Sequence, residues 1–316
     1  MKLNAEDELI RRLVGRLPSG EGLVVGPGDD CAAVRLPGAR RLLLLKTDCV
    51  VEGVHFLRAH DPGRIGWKAL CRPLSDIAAM GGVPGQALVT LFSPPGIPRG
   101  YWEKFYRGLE RAARRFGVGI AGGEVSRQPA GIAVSVALTG TVAAREMVLR
   151  SGGRPGDDLY VTGRLGGSLG GHHMDFVPRI AEGRWLAETV RPRAMMDISD
   201  GLGSDLPRLA AASGCGFEVD LESLPRNRGC DAAAALSDGE DYELLFAASR
   251  RVRKRLEERW RQAFPRVKLT RIGRLTDSGE APAGWPGGWD HFSVVRSGRA
   301  GEFRDGAVGR KRPRRS

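Results

Sequence analysis

Asp61-Pro62-Gly63-Arg64-Ile65-Gly66-Trp67-Lys68-Ala69-Leu70-Cys71-Arg72-Pro73-Leu74-Ser75-Asp76-Ile77-Ala78-Ala79-Met80-Gly81-Gly82 reads as one helix. Asp61 supplies an N-cap, Pro62 a first-turn proline, and Gly81-Gly82 a stop after about Met80. Working outward, Arg41–Thr47 is a buried strand upstream and Gln86–Phe92 a strand downstream. A second helix from about Pro98 to Phe116 turns Trp102, Phe105, Leu109, Ala112 and Phe116 inward. Alternation of Ile132, Val134, Val136 and Leu138 makes Gly131–Val142 a half-buried strand. Ahead of these, Asn4 caps a first helix whose Leu9, Ile10, Leu13, Val14 and Leu17 form one apolar stripe that Pro18 ends.

Arg150-Ser151-Gly152-Gly153-Arg154-Pro155-Gly156-Asp157 reads as an interdomain turn region, after which the pattern restarts. Strands are expected at Leu159–Thr162, Ala194–Ile198, Phe217–Leu221, Tyr242–Ala247, near Val267–Ile272 and at His291–Val295. Helical segments fall at Phe176–Glu188, Leu202–Ala212 and, strongly basic, Arg250–Phe264. Strands and helices mix without the strict alternation of a doubly wound sheet. The expectation is two α+β domains split near residue 148.

Composition agrees with a globular chain of about two domains: 316 residues, 41% hydrophobic and 27% charged. The 45 glycines follow no collagen-like period and imply many tight turns and close backbone approaches. Five scattered cysteines (Cys31, Cys49, Cys71, Cys215, Cys230) with no C-x-x-C pair fit neither a disulfide framework nor a zinc site. The first residues are too acidic for a signal peptide. The longest aliphatic run, Leu42–Leu45, falls far short of the ~20 residues of a membrane-spanning helix. A soluble cytoplasmic protein is expected. Of the net charge of +12, half sits between Arg296 and Ser316, where eight basic residues face two acidic ones. This stretch reads as a solvated, disordered tail that grips phosphates only non-specifically, and no interleaved aromatics suggest base stacking.

One design recurs: a short apolar strand, one or more carboxylates, then glycine or a small residue. It occurs at Gly28-Asp29-Asp30, Thr47-Asp48, Leu74-Ser75-Asp76, Gly122-Gly123-Glu124, Met196-Asp197-Ile198-Ser199-Asp200-Gly201 and Ser237-Asp238-Gly239-Glu240-Asp241. Any one of these is ordinarily a turn former. Six in one chain, several inside apolar segments, suggest carboxylates gathered in a cleft, where they repel unless cations compensate. Hard divalent cations, Mg²⁺ above all, take carboxylates together with substrate phosphate oxygens. Other site types are excluded. There is no P-loop and no G-x-S-x-G elbow. Gly117-Val118-Gly119-Ile120-Ala121-Gly122 matches G-x-G-x-x-G but follows a helix rather than a strand. The five histidines are not at zinc spacing.

These motifs, with Thr47-Asp48-Cys49-Val50-Val51-Glu52-Gly53-Val54-His55-Phe56, Leu149-Arg150-Ser151-Gly152, Gly239-Glu240-Asp241-Tyr242-Glu243-Leu244 and Trp289-Asp290-His291-Phe292, stand in one order up to about residue 295. In that order the chain resembles the thiamine-monophosphate kinases, in the superfamily of aminoimidazole ribonucleotide synthetase and selenophosphate synthetase. The resemblance implies γ-phosphoryl transfer from ATP to thiamine monophosphate, with several Mg²⁺ ions and ATP as co-substrate. It implies an N-terminal α+β domain (1–148) for ATP and Mg²⁺ whose sheet pairs across a homodimer, an α/β-type C-terminal domain (149–298) and the basic tail (299–316). By motif, Asp30, Thr47, Asp48, Asp76, Asp197 and Asp200 correspond to Mg²⁺ ligands, with Glu124 at a position where the family has Asp. The resemblance implies that Asp30, Asp48, Asp76 and Asp200 carry catalysis. Arg150, Ser199 and the Gly122-Gly123 backbone correspond to ATP contacts, and His55, Glu240 and Trp289 to thiamine contacts.

Departures stand beside these matches. Gly122-Gly123-Glu124-Val125-Ser126 replaces the usual Gly-Gly-Asp-Thr-Thr, Lys46 replaces a serine, Trp289 replaces a tyrosine, and Gly163–Pro178 is short with His172-His173 inside it. Alternatives are a superfamily enzyme acting on another phosphorylated substrate, and a non-catalytic relative that binds nucleic acid through its tail.

Overall fold

The computed structural model describes residues 5–15, 17–279 and 281–289. The Asn4 cap, the strand expected at His291–Val295, the Asp290-His291-Phe292 motif and the basic tail lie outside them. The first part of the chain comprises α1 (Ala5–Val14), β1 (Leu23–Val25), β2 (Ala32–Val34), β3 (Leu42–Val51), α2 (Pro62–Ala79), β4 (Val83–Ser93), α3 (Arg99–Phe116), β5 (Gly119–Arg127) and β6 (Ala133–Val142). Its strands form a six-stranded sheet in the order β1-β2-β3-β6-β4-β5. All pairs are antiparallel except β4 with β5. The long β3–β6 ladder runs from Leu42 opposite Val142 to Val51 opposite Ala133.

Period two sorts the residues of β3. Leu42 and Leu44 point into the core, and Lys46 and Asp48, on the same side, stay half-buried. Leu45, Thr47 and Cys49 point to an open face. The core side is covered by α2, whose Ile65, Leu70, Leu74 and Ile77 pack with Leu42, Leu44, Val134, Val136 and Leu138. The Asp61 side chain caps α2 by accepting from the Arg64 N–H. α3 lies so close to α2 that a Cβ on Gly108 would sit 1.7 Å from the Gly63 carbonyl oxygen, and one on Gly66 2.0 Å from that of Phe105. The glycines inside these two helices therefore set the interhelical distance.

The second part comprises β7 (Asp158–Thr162), α4 (Ile180–Trp185) running into a π-helical turn (Leu186–Val190), β8 (Ala194–Asp197), α5 (Leu202–Ala212), β9 (Gly216–Val219), α6 (Ala232–Ser237), β10 (Leu244–Ala248), α7 (Arg253–Ala263) and β11 (Leu269–Thr276). The order β8-β10-β7-β11-β9 is antiparallel throughout. Every residue of β7, β8 and β10 is buried. One face packs on Leu202, Leu206 and Leu209 of α5, the other on Leu256 and Trp260 of α7. The pattern break near 148 falls in the connection between β6 and β7. The two parts share packing, since Ala78 and Ala79 of α2 contact the cluster containing Leu186, Met195 and Leu244.

Three expectations change. β1, β2 and β5 are strands that propensity did not reveal. β5 is glycine-rich because Gly123 lies against β4, where a Cβ would come 1.8 Å from the Val89 carbonyl oxygen. β10 begins at Leu244 rather than Tyr242, because Glu240 (φ 54°) and Tyr242 (φ 52°) adopt the left-handed conformation. The apolar stripe of α1 does form, yet Leu9, Ile10, Leu13 and Leu17 are exposed in the single chain.

Candidate metal and phosphate site

Asp30 stands just before β2, Asp76 in the last turn of α2, and Asp197 at the end of β8. These three elements, from both parts of the chain, bring one oxygen of each carboxylate within 4.8 Å of the others. All three residues are buried, at 2, 6 and 3% exposure. Oδ1 of Asp30 accepts from Arg150 Nε (3.0 Å) and Nη2 (2.6 Å). Oδ2 is buried with no hydrogen-bond partner. An orphaned carboxylate oxygen within a group of three buried acids is a costly arrangement without a cation and a natural ligand set with one.

The electrostatics agree. Burial, then the charge of Asp30, pushes the Asp197 pKa up to about 6 against the pull of Ser75, Lys46 and Arg150. Burial also lifts Asp76 well above the ordinary range, with Lys46 opposing and Asp48, Asp197 and Asp30 adding to the rise. Asp29, next in the chain, rises to about 6 through burial and the charge of Asp30. Three hard oxygen donors of this kind fit Mg²⁺ and exclude soft metals as the preferred guest.

Around the triad the cations are distributed with care. Lys46 Nζ reaches Asp76 Oδ1 at 2.6 Å and Asp48 Oδ2 at 3.9 Å. Burial opposes its charge, but Asp76 and Asp48 outweigh burial and raise its pKa. Asp48 therefore joins the cluster through Lys46. Asp200 is instead engaged by Arg208, which also holds Asp205 at 2.9 Å. Asp205, fully buried, accepts from the N–H groups of Ser199 (3.0 Å) and Asp200 (2.9 Å) and so shapes the turn into α5.

Two turns before Asp76 in α2, Lys68 is fully buried and donates to the His55 carbonyl (2.7 Å) and to Glu240 Oε2 (2.6 Å). Burial lowers its pKa to about 8 despite Glu240. The His55 ring nitrogen Nδ1 accepts from the Val51 N–H at 3.0 Å. Glu240 is held by its own N–H to the Ser199 carbonyl (2.7 Å) and carries Tyr242, whose ring stacks on Phe176 at 3.8 Å. The Trp289 N–H donates to the Asp200 carbonyl at 2.8 Å, with the residue 42% exposed. His55, Glu240, Ser199, Asp200 and Trp289 are thus linked by short contacts to the same loops.

Other residues singled out from the sequence stand apart. Thr47 is on the open face of β3, its hydroxyl 3.4 Å from Ser135 Oγ, opposite the side of Lys46 and Asp48. Glu124 is in register with Thr90, and Thr90 with Ser135, which pairs Cys49. That register puts Glu124 three strands, about 14 Å, from β3. Gly122 and Gly123 are exposed on the same edge strand. Sequence reasoning missed Lys68, Arg72, Asp205 and Arg208 as parts of the site. The available signal was the i, i+4 spacing of Arg64, Lys68, Arg72 and Asp76, a charged row on an otherwise buried helix.

Comparison with known proteins follows the same division. Residues 28–142 match the family "AIR synthase related protein, N-terminal domain", and residues 176–283 match the corresponding C-terminal domain family. The thiamine-monophosphate kinase of Rhodopirellula baltica is 35% identical over 288 residues, covering 85% of this chain and 89% of that protein. The enzyme of the same name from Salmonella typhimurium is 33% identical and covers 92% of this chain and 98% of its own. A solved structure described as AaThiL complexed with AMPPCP and TMP superposes with a TM-score of 0.72 at 32% identity, covering 92% of this chain and 99% of that one. With a third of its residues shared along almost the full length of such enzymes, and both superfamily domains contributing to one acidic cluster, the chain belongs to the thiamine-monophosphate kinase family.

Proposed function

We propose that this chain transfers the γ-phosphoryl group of ATP to thiamine monophosphate, producing thiamine diphosphate, with Mg²⁺ held by the clustered carboxylates. The observation that carries the reading is the buried triad of Asp30, Asp76 and Asp197, drawn from both parts of the chain, with Asp30 Oδ2 unpartnered. When bound there, divalent cations neutralise the charge of the phosphates brought together for transfer.

The chain's own groups do the positioning. Arg150 fixes Asp30 from one side while its backbone N–H holds Asp29 at 3.2 Å. Lys46 compensates Asp76 and Asp48, and Lys68 aligns Glu240 beside the His55 segment. Ser199 and Asp200 are set by Asp205 for nucleotide and metal contacts, and Trp289 is tethered to the same loop to cover the thiamine ring. A cation held over an aromatic face gains of order 0.5–2 kcal/mol. The acceptor is a phosphate oxygen already ionised near neutrality, so the site needs no general base.

The proposal extends to assembly and location. The open face of the first sheet exposes Leu45, Ala137 and Leu88 beside Thr47 and Ser135. That supports a homodimer paired through residues 1–148, in which Thr47, Gly122, Gly123 and Glu124 take their metal and nucleotide roles at the subunit boundary; residues 149–298 form the other domain. Among the described residues no helix is long and apolar enough to cross a membrane, and all five cysteines are unpaired, which supports a cytoplasmic location.

The direct test is incubation with ATP, Mg²⁺ and thiamine monophosphate, with thiamine diphosphate detected by fluorescence after oxidation. Product that disappears on chelation of Mg²⁺ is expected. A folded, Mg²⁺-loaded protein that yields none would refute the reading.

A further inference from the structure

The cations lining the acidic cleft differ in how fully they are used. Lys46 is hydrogen-bonded to Asp76, Lys68 to Glu240, Arg150 to Asp30, and Arg208 to Asp205. Arg72 is the exception. Its Nη2 is 3.8 Å from Asp48 Oδ1 and its Nη1 4.0 Å from Glu240 Oε1, too far for hydrogen bonds. Its buried Nε and Nη1 have no acceptor. The side chain is only 14% exposed. A guanidinium largely withdrawn from water with two of its three nitrogens lacking acceptors is unfavourable. Such an arrangement persists where a ligand completes it.

The location of Arg72 defines that ligand. It follows Lys68 by one helical turn and precedes Asp76 by one turn on the same face of α2. Its guanidinium therefore lies between the triad, which takes the nucleotide phosphates through metal, and the Lys68–Glu240–His55 group at the thiamine end. A phosphate entering there is repelled by the γ-phosphate it must approach and by Asp48 and Glu240. It needs a fixed positive charge with parallel N–H donors, which a planar guanidinium offers and an ammonium does not.

We infer that Arg72 is the receptor for the phosphate of the acceptor substrate, and that it makes the site select a phosphomonoester over the free alcohol. The inference rests on the functional reading above and adds to it a residue and a specificity. Lys68 contributes by holding Glu240 away from Arg72, since the Lys68–Glu240 bond of 2.6 Å keeps that carboxylate from closing on the guanidinium.

The test is calorimetric binding of thiamine monophosphate and of unphosphorylated thiamine to the wild-type protein, R72M and R72K, each with Mg²⁺ and a non-hydrolysable ATP analogue. R72M is expected to bind thiamine monophosphate about 10- to 100-fold more weakly while its affinity for thiamine is unchanged. R72K, which keeps the charge and loses the fork, should fall between the two. In turnover, the loss should appear chiefly in KM for thiamine monophosphate, with KM for ATP unmoved. Equal weakening of both ligands would mark Arg72 as structural, and unchanged thiamine monophosphate affinity would remove it from the site; either overturns the inference alone. A wild-type protein that binds no thiamine monophosphate overturns the functional reading and this assignment with it. Should R72M fail to fold by circular dichroism, the same comparison on R72K decides.

Discussion

Lys46 Nζ sits 2.6 Å from Oδ1 of Asp76 and 3.9 Å from Oδ2 of Asp48, so an ammonium occupies ground that two carboxylates would otherwise offer to a cation. The lysine is on β3 and Asp76 on α2, joined across the interface between sheet and helix. Family members commonly carry serine at this position, a group that compensates no charge. Here one positive charge is built into the protein and cannot dissociate. If the cluster takes Mg²⁺ as proposed, the site is then less dependent on free Mg²⁺ for its own integrity.

Lys46→Ser should therefore separate metal-free from metal-bound stability. Without Mg²⁺ the variant leaves Asp76 buried beside Asp30, Asp48 and Asp197, and breaking such a pair costs about 3–5 kcal/mol. Added Mg²⁺ should restore much of that loss, giving a larger metal-induced rise in Tm than in the wild type. Mn²⁺ titration followed by electron paramagnetic resonance should show tighter or additional binding. Identical Mg²⁺ dependence in the two proteins would show that Lys46 does not compete with metal.

Asp197→Asn is a cleaner probe of catalysis than Asp76→Asn, because among the described residues Asp197 makes no ion pair whose loss would confuse the result. The amide removes a buried charge whose pKa is pushed up to about 6 by burial and by Asp30. Metal-free stability near neutral pH should hold or rise, while turnover falls at least about 100-fold through lost charge neutralisation. Melting curves with and without Mg²⁺, set against initial rates, would check both halves. Wild-type activity in the variant would exclude Asp197 from the site.

Much of this arrangement could be read before any coordinates. α2, α3, β6 and β8 follow from caps, helical periodicity and alternation, and Asp30, Asp76 and Asp197 belong to motifs with glycine or small residues nearby. What stayed hidden depends on tertiary partners. Thr47 and Asp48 are adjacent in sequence, yet the pleat sends them to opposite faces, and only the covered side of β3 decides which faces α2. The burial of Lys68 follows only from α2 being buried along most of its length. Arg72 shows in the sequence only as one member of the i, i+4 charged row, because its significance lies in the lack of hydrogen-bond acceptors for Nε and Nη1. β5 escapes propensity because its glycines answer to the neighbouring strand.

Asp241 offers a test of pH dependence away from the triad of Asp30, Asp76 and Asp197. Its carboxylate accepts from the Gly166 N–H at 3.0 Å and is 1% exposed. Burial chiefly, then the charges of Glu243, Asp238 and Asp205, lift its pKa to about 8 against the pull of the Gly166 N–H. Between about pH 4 and pH 8 the folded protein holds a proton here that the unfolded chain has released. Stability from this residue is thus intact at low pH and is lost as pH rises toward 8. Asp241→Asn should match the wild type near pH 4 and exceed it above pH 8, by up to about 5 kcal/mol. Denaturant unfolding at the two pH values would show it, and a constant difference would refute the shift.

The open face of the first sheet makes the last prediction. Leu88 is 50% exposed and Leu45 40% exposed, on the face opposite α2. Leu88 pairs Ala137, which pairs Thr47, two residues along β3 from Leu45, so exposed apolar groups from three adjacent strands lie near one another on this face. Antiparallel sheets facing water ordinarily place polar side chains there. If this face pairs with a second copy, Leu88→Asp puts an unpaired charge into the interface, where burial without a partner is strongly opposed. The wild type should elute and scatter as a dimer, and the variant as a monomer with an unchanged far-ultraviolet circular dichroism spectrum. Turnover should fall with the dimer fraction and recover at high protein concentration if the site is completed across the interface. A monomeric wild type with full activity would reject this face as an interface and would confine the site to residues of one chain.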